Sequence, residues 1–152
     1  MAPLSNREVV ERYAKALVAS DFDSQDALLA DDVTDDYPQS GERLRGRVNI
    51  RRVAEQYPGR KDSGDLATKV DRVIGSEDRL VLTPNLTPMR VIGMGDQYVG
   101  TGEVTYPDGK TWHIVQLMEL RNGKIAKLTT YFAAPFDAPP WRAGWVERMP
   151  GR

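Results

Sequence analysis

The segment DGKTWHIVQLMELRNGKIAKLTTYF, residues 108–132, contains the only histidine of the chain, His113. Histidine titrates near neutral pH, so it can act as a general acid or base when a neighbouring carboxylate orients it. The segment has two apolar runs around Asn122 and Gly123, a pair of residues typical of a tight β-hairpin. Whether His113 can do chemistry therefore depends on the face it occupies and on the residue opposite.

The Asn-Gly turn sets the register of this hairpin. It predicts that Arg121 pairs with Lys124. Regular counting outward predicts three further pairs: Leu117 with Leu128, Val115 with Thr130, and His113 with Phe132. This face is largely apolar and is predicted to point to the core, so His113 is predicted to point inward.

The preceding turn, YPDGK, places a carboxylate beside the histidine. The proline has no N–H, which favours a three-residue Pro-Asp-Gly loop over a two-residue loop. Tyr106 then pairs with Lys110, and Glu103 falls opposite His113, within hydrogen-bonding reach; a slip of one residue would place Val104 there instead. The two residues could form an acid/base dyad or a buried structural pair, because both arrangements perturb pKa values.

The other face of the hairpin is mixed, with apolar and polar residues together. Trp112, Ile114 and Met118 are predicted to lie there, with Tyr131 beside them. Such a surface suits subunit packing, so we predict a homodimer formed through these four residues.

Hydrophobic periodicity predicts helices first and strands afterwards. Ser5 and Glu8 have the spacing of a capping box before a first helix, and further helices are predicted over residues 23–32 and 47–57. A strand is predicted over 33–37. The second half alternates strand-like segments and turns, including RVIGSEDRLV and RVIGMGDQYV, which we interpret as two hairpins rather than an internal repeat. This order predicts an α+β fold, with helices packed on one face of a curved antiparallel sheet.

The composition is that of an ordinary folded domain. The chain has 152 residues, 40% hydrophobic and 28% charged, so one domain over residues 1–152 is expected. A net charge of −1 gives no global attraction to nucleic acid or to an anionic membrane. No apolar run approaches the roughly 20 residues that span a bilayer, and the first ten residues lack the apolar centre of a secretory signal. We therefore expect a cytoplasmic protein with no nucleic-acid or membrane partner.

The sequence gives no indication of a metal or a cofactor. The chain has no cysteine, which excludes disulfides, cysteine zinc sites and thiol nucleophiles. The aspartates between residues 21 and 36 lie at predicted helix ends and loops, where aspartate caps helices, and lack the spacing of a calcium loop. The arginines between residues 43 and 52 are predicted to pair with this acidic segment or to face solvent. We predict neither a metal site nor a cofactor.

Residues 133–152 form a tail rich in proline and aromatic residues. Trp141 and Trp145 are four apart, as on one side of a short helix. The role of this tail, like that of residues 64–88, does not follow from the sequence.

Several segments resemble the nuclear transport factor 2-like superfamily, which includes ketosteroid isomerases, SnoaL-like polyketide cyclases and epoxide hydrolases. VVERYAKALVASDFDSQDALLADDVTDDYP is similar to its opening, and ELRNGKIAKLTTYF to its last hairpin. YPQSGERLRG and YFAAPFDAPPWRAGWVERM resemble bacterial proteins of the SnoaL-like branch. The resemblance implies a cone-shaped fold, in which a strongly bent antiparallel sheet and three N-terminal helices enclose an apolar pocket, commonly as a homodimer. This fold hosts many functions, so the resemblance does not fix the activity.

The resemblance also implies roles for single residues. Tyr13 matches the tyrosine that donates a hydrogen bond in the oxyanion hole of ketosteroid isomerases. Tyr37 stands where those isomerases place the general-base aspartate; Asp36 beside it points to the opposite face and cannot substitute. Thr130 stands where cyclases and epoxide hydrolases carry an aspartate, and a threonine cannot act as a base at neutral pH. Steroid-isomerase and epoxide-hydrolase chemistry are therefore disfavoured.

Three functions stay open. A cofactor-independent cyclase or isomerase would use His113 as acid/base, Glu103 to orient it, and Tyr37 or Tyr13 to stabilise an enolate formed on a carbonyl substrate. The residues predicted to bind the ligand are Tyr13, Gln39, Val115, Leu117, Leu128, Thr130 and Phe132. A carrier or sensor of an apolar small molecule would use the same pocket without catalysis. A dimeric protein-interaction module would have a filled interior and an exposed apolar patch.

Overall fold

The computed structural model of the chain describes residues 2–57, 67–75, 95–106 and 108–150. These ranges contain the helices α1 (Asn6–Val18), α2 (Phe22–Leu28) and α3 (Arg47–Glu55). They also contain the strands β1 (Leu29–Tyr37), β2 (Glu42–Arg45), β3 (Ala67–Gly75), β4 (Gln97–Thr105), β5 (Thr111–Arg121) and β6 (Lys124–Ala133). Within them, no helix is both long and apolar enough to cross a membrane. The interpretation of the two similar segments as separate hairpins falls largely outside the described residues.

The first helix begins where the capping-box pattern predicts. The Glu8 N–H donates to the Ser5 hydroxyl (3.3 Å), and the Ser5 N–H donates to the Glu8 carboxylate (2.8 Å). The apolar stripe of α1 is buried: Val10 is 0% exposed and Tyr13 is 2% exposed. Because α1 packs against β3 and β6, this stripe helps to form the core.

The strands form one curved sheet in the order β2-β1-β6-β5-β4-β3. Neighbouring strands are antiparallel except for β1 and β6, which run parallel. The predicted α+β class is confirmed. The parallel pair matters for function, because it places the middle of β1 beside the second half of β6, where the cavity described below lies.

The hairpin of β5 and β6 turns as predicted and then departs from the predicted register. Asn122 and Gly123 both have positive φ (53° and 71°), and Arg121 pairs with Lys124. The register then shifts by one residue beside Glu119. The observed pairs replace the predicted ones: Leu117 with Thr129, Val115 with Tyr131, and His113 with Ala133. The prediction of regular pairing was wrong.

Burial explains the shift. Ile125 and Leu128 are both 0% exposed, although they are three residues apart. In a regular strand, residues three apart point to opposite faces. An extra residue in β6, a β-bulge at Ala126, lets both side chains enter the core. The shift also reverses the faces of β5 relative to the prediction.

The predicted dimer surface is corrected by this reversal. Met118 is 3% exposed and belongs to the core, and Ile114 and Trp112 share its face of β5. The outer face of β5 instead carries Val115 and Leu117. Only Tyr131, of the four residues predicted for that surface, lies there, because β6 keeps its predicted orientation.

The second helix is shorter than predicted. The chain leaves α2 at Leu28, and the remaining residues of the predicted helix form the start of β1. Residues 29–37 pair with β6 on one side and β2 on the other. These long-range hydrogen bonds outweigh the local helix preference of the segment.

The acidic and basic segments pair with each other. This was one of the two alternatives predicted for the arginines, the other being that they face solvent. Arg43 binds Asp36 with both oxygens engaged (2.5 and 2.7 Å), and Arg51 contacts Asp26 (2.8 Å). These side chains are partly exposed to solvent, by 21–48%, so each pair contributes little stability. The pairing of Arg43 has a consequence for the site, because it holds Asp36 on the outer side of β1.

The tail leaves β6 after Ala133 and carries a 3₁₀ helix, Pro140–Trp145. Trp141 and Trp145 are 74% and 82% exposed. In a 3₁₀ helix, residues three apart are eclipsed, so residues four apart diverge by about 120°. The expectation that the two tryptophans share one side is therefore wrong.

Candidate functional site

A cavity of about 190 Å³ lies between the helices and the inner face of the sheet. Its walls come from α1, α2, α3 and the strands β1, β3, β4, β5 and β6, and most of its lining is apolar or aromatic. The polar residues at its wall are Tyr13, Gln25, Asp35, Tyr37, Tyr57, Thr101, Glu103, Gln116 and Thr130. Cavities of about 150 Å³ suffice to bind benzene, so this one has room for an aromatic ring.

Two glycines of β4 help to keep the cavity open. Gly100 pairs with Gln116, and Gly102 pairs with Ile114. Both partners line the cavity, so the glycines occupy the inner face of β4. Since they have no side chains, the space in front of them stays empty.

Asp35 is a carboxylate buried in the cavity wall, with 4% of its surface exposed. Side chains alternate along β1, so Val33, Asp35 and Tyr37 point inward while Asp36 points outward to Arg43. Val33 is fully buried and fixes this orientation of the strand. Asp35 is therefore directed into an apolar space by the same alternation that builds the core.

A chain of hydrogen bonds fixes the Asp35 carboxylate. The Thr130 hydroxyl donates to Asp35 Oδ1 (2.8 Å), and Gln116 Nε2 donates to the Thr130 oxygen (3.0 Å). The Tyr37 hydroxyl donates to Asp35 as well. Because the single proton of Thr130 goes to Asp35, its oxygen is left to accept from Gln116. Thr130 and Tyr37 thus fix the position of the carboxylate within the cavity, and Gln116 holds Thr130 in place.

The environment of Asp35 raises its pKa to about 6. Burial is the main cause, because a carboxylate loses hydration in an apolar space. The hydrogen bonds from Thr130 and Tyr37 oppose this effect, and the negative charge of Asp36 adds to it. A carboxyl group with this pKa is ionised at neutral pH and still accepts a proton readily, as a general base requires.

Tyr13 brings a second polar group to the cavity. Its side chain is 2% exposed, and within the described residues no group forms a hydrogen bond with its hydroxyl. Burial raises the pKa of Tyr13, and the nearby Asp35 charge raises it further. The hydroxyl therefore stays protonated and can donate to a ligand. A buried hydroxyl without a partner is costly, which a ligand oxygen would relieve.

Aromatic rings form the rest of the wall. Tyr37 and Phe132 contact edge to face, with their centroids 5.9 Å apart. The Tyr57 and Tyr106 hydroxyls are 2.5 Å apart, and the Tyr106 ring also packs against Trp112. Tyr57 lines the cavity, whereas Tyr106 and Trp112 support it from behind. The cavity thus combines flat apolar surfaces with a few fixed polar groups, as small-molecule sites do.

His113 and Glu103 pair as predicted but lie on the other face of the sheet. Glu103 is opposite His113 in the register, and Glu103 Oε1 is 3.5 Å from His113 Nδ1. Residues 100–104, Glu103 among them, contribute to the cavity wall, whereas His113 shares the outer face with Val115 and is 35% exposed. The prediction that His113 points inward was wrong, because it assumed a regular β5–β6 register.

The residues predicted to bind a ligand lie in three places. Tyr13, Thr130 and Phe132 line the cavity, as does Tyr37, which was predicted to be catalytic. Leu128 is buried in the core, and Val115 and Leu117 lie on the outer face with 38% and 40% exposure. Gln39 is exposed and accepts a hydrogen bond from the Phe132 N–H (2.6 Å), so it anchors the end of β6.

Sequence reasoning missed Asp35 and Gln116. Asp35 was grouped with the solvated aspartates, although it alternates with Val33 and Tyr37 on a predicted strand. That alternation was a usable signal. Gln116 was placed on the outer face by the missed bulge.

No group of three or more histidine, aspartate or glutamate side chains in the described ranges could hold a metal ion.

Comparisons with known proteins agree with the fold described above. The model of the SnoaL-like domain family matches residues 10–128. The chain belongs to the SnoaL-like family. An NTF2-like protein of unknown function from Burkholderia xenovorans LB400 is 32% identical, with a TM-score of 0.71 over 95% of this chain and 94% of that one. No curated protein matches the chain significantly.

Two further solved structures share the fold. A candidate ketosteroid isomerase from Kribbella flavida is 25% identical, with a TM-score of 0.72 over 95% of this chain and 90% of that one. A candidate polyketide cyclase from Xanthomonas campestris is 20% identical, with a TM-score of 0.57 over 83% and 88% of the two chains. The second likeness shows the fold alone.

Proposed function

We propose that this SnoaL-like protein is a cofactor-independent isomerase or cyclase that acts on a small apolar carbonyl compound. The observation that carries the proposal is Asp35, a buried carboxylate with a raised pKa in an apolar cavity beside the Tyr13 hydroxyl. The candidate ketosteroid isomerase among the similar structures favours the same reaction class. Steroid-isomerase chemistry was disfavoured for want of an inward carboxylate, and Asp35 removes that objection.

In this proposal the Asp35 carboxylate removes a proton from the carbon next to the carbonyl. The electron pair of that C–H bond moves toward the carbonyl oxygen, and Tyr13 donates a hydrogen bond to the enolate. In a substrate with a β,γ C=C bond, protonated Asp35 then returns the proton to the γ-carbon and the double bond moves to the α,β position, which gives an isomer. Alternatively, the enolate carbon attacks a second carbonyl of the same molecule, whose oxygen takes the proton. Thr130 and Gln116 hold Asp35 in place throughout.

Hydrogen–deuterium exchange tests the proton abstraction without knowledge of the natural substrate. Two-ring ketones such as 1-tetralone and 2-tetralone would be incubated with the protein in D₂O, and loss of the α-proton signal followed by NMR. We expect the protein to accelerate exchange, Asp35→Asn to abolish the acceleration, and His113→Ala to retain it. The last variant is a matched control, because it removes a titratable group from the outer face.

Each other outcome is informative. If the ketones bind but the protein never accelerates exchange, the carrier or sensor function is favoured. If His113→Ala loses the acceleration and Asp35→Asn keeps it, the assignment of the base is wrong. With Asp35 as the base, kcat/KM should rise as the pH rises through about 6 and then level off.

We also propose a homodimer, formed through the outer face of the sheet. Val115 and Tyr131 are a direct cross-strand pair there, and Leu117 lies beside them; their exposed fractions are 38%, 40% and 40%. A neighbouring group of half-exposed apolar side chains is typical of a protein contact surface. Sedimentation of the wild type and of Leu117→Lys would test this, since a lysine in the contact should dissociate the dimer.

A further inference from the structure

The tail after β6 exposes an unusual amount of apolar surface. We call residues 134–150 the C-terminal arm. Its large apolar side chains are exposed by 52–82%: Phe136, Trp141, Trp145, Val146 and Met149. Arms that simply extend into solvent are polar, because exposed aromatic surface is unfavourable in water. This arm has the composition of a contact element.

Prolines make the arm stiff. Pro135, Pro139 and Pro140 restrict the backbone, and Pro139 has an extended conformation (φ −61°, ψ 133°). The 3₁₀ helix that follows presents Trp141 and Trp145 in divergent directions. A stiff segment loses little conformational entropy when it docks.

The charge of the arm favours a protein surface as its partner. Two acidic residues, Asp137 and Glu147, balance two basic ones, Arg142 and Arg148. A neutral arm is not attracted to an anionic membrane or to nucleic acid. Tryptophan, phenylalanine, methionine and arginine are the residues that protein interfaces favour.

We propose that the arm of each copy docks on the outer sheet face of a second copy, so that two arms are exchanged in the dimer. This inference rests on the proposed dimer. The arm follows directly after Ala133, the last residue of β6, which pairs with His113. The eight residues from there to Trp141 can reach roughly 26 Å, about the width of the sheet, at 3.3 Å per residue. The exposed apolar residues of that face, Val115 and Leu117, provide the matching surface.

The surface area that the two arms would bury agrees with the interface area of a stable complex. Three aromatic side chains exposed to this extent remove roughly 400–600 Å² from water when they dock, since each offers about 150–250 Å². Each arm covers a similar area of the surface beneath it. Two exchanged arms therefore reach the roughly 1,600 Å² of an ordinary stable interface.

Cross-linking tests the exchange directly, because the chain has no cysteine of its own. Three full-length single-cysteine variants are needed: Ala143→Cys on the arm, Thr129→Cys on the outer face, and Val48→Cys on α3, on the other side of the sheet. One variant of each mixture would be labelled with ¹⁵N, and a short bismaleimide added. We expect intact-mass analysis to show arm-to-face dimers at least tenfold above arm-to-α3 dimers.

Face-to-face cross-links of Thr129→Cys distinguish the two proposals. If these form while arm-to-face products do not exceed the α3 control, the dimer stands and the arm exchange is refuted. If neither forms, both proposals are refuted. In parallel, the variant with both Trp141→Ser and Trp145→Ser should have a dimer Kd at least tenfold higher than the wild type. The control variant Val48→Ser should leave the Kd unchanged. An equal Kd for the wild type and both variants also contradicts the exchange.

Discussion

The buried carboxylate of Asp35 should make the protein less stable as the pH rises, in a way that one substitution removes. Its folded-state pKa of about 6 lies above the ordinary value of 3.8. The folded state therefore binds more protons than the unfolded state between these two values. Stability is highest when Asp35 is protonated, falls as the pH rises through this window, and levels off above it. Asp35→Asn removes the titration and keeps the shape of the side chain.

The size of the effect follows from the pKa shift. A shift of about 2 pKa units corresponds to about 3 kcal/mol between the fully protonated and fully ionised limits. Between about pH 5 and pH 8, linkage gives about 1.4 kcal/mol, because much of the loss has already occurred at pH 5. We expect the difference in free energy of unfolding, wild type minus Asp35→Asn, to fall by this amount between pH 5 and pH 8.

Urea unfolding, followed by far-UV circular dichroism, measures this difference at a series of pH values. Using the difference removes every titration that the two proteins share. Asp36→Asn is the matched control, one residue along the same strand. The Arg43 guanidinium holds the pKa of Asp36 below its ordinary value, so this pair contributes stability that is lost as the pH falls. Because that loss lies below the ordinary pKa of 3.8, the difference for Asp36→Asn should stay flat between pH 5 and pH 8.

A flat difference for Asp35→Asn between pH 5 and pH 8 would refute the reasoning. It would mean that Asp35 is hydrated in solution or that its hydrogen bonds outweigh the burial cost. A similar fall for Asp36→Asn between pH 5 and pH 8 would show that net charge, rather than burial, controls the effect. Direct titration of the Asp35 carboxyl carbon by NMR would decide between these explanations.

Four further substitutions test the site and the register. Thr130→Val removes a hydrogen bond that lowers the pKa of Asp35, so NMR titration should show that pKa rising further. Tyr13→Phe should leave the urea midpoint unchanged or raise it, because no described group forms a hydrogen bond with the hydroxyl. The same variant should slow α-proton exchange by a factor of about 10²–10³. An exchange rate equal to that of the wild type would remove Tyr13 from the mechanism. Leu128→Ala should cost about 2–5 kcal/mol and Leu117→Ala much less, by urea unfolding, because only Leu128 is fully buried; similar losses would contradict the bulged register.

Short sequence patterns predicted the structure correctly where the structure depends only on neighbouring residues. The Ser5–Glu8 capping box depends on neighbouring atoms of one helix end, and the Asn122–Gly123 turn on two residues with positive φ. The Pro-Asp-Gly turn likewise placed Glu103 opposite His113. Such features are decided within a few residues, so the sequence alone predicts them.

The composition of the candidate site depends on one long-range feature, the β-bulge in β6. Ile125 and Leu128 both enter the core, and the bulge that allows this reverses which residues of β5 face the cavity. His113 thereby leaves the inner face and Gln116 enters it. A sequence shows the spacing of the two apolar residues, but whether a strand bulges depends on the packing available on both faces.

The sequence by itself determined the α+β class, because periodicity and turns at many positions support it together. The resemblance to the family further implied Tyr13 and Tyr37 as residues of the site. Only the tertiary structure decided which carboxylate enters the cavity. Asp35 and Asp36 have the same chemistry, and their difference in pKa comes from burial in one case and from Arg43 in the other. Burial is a property of all the chain segments that meet at a point, so the acid–base character of Asp35 exists only in the folded protein.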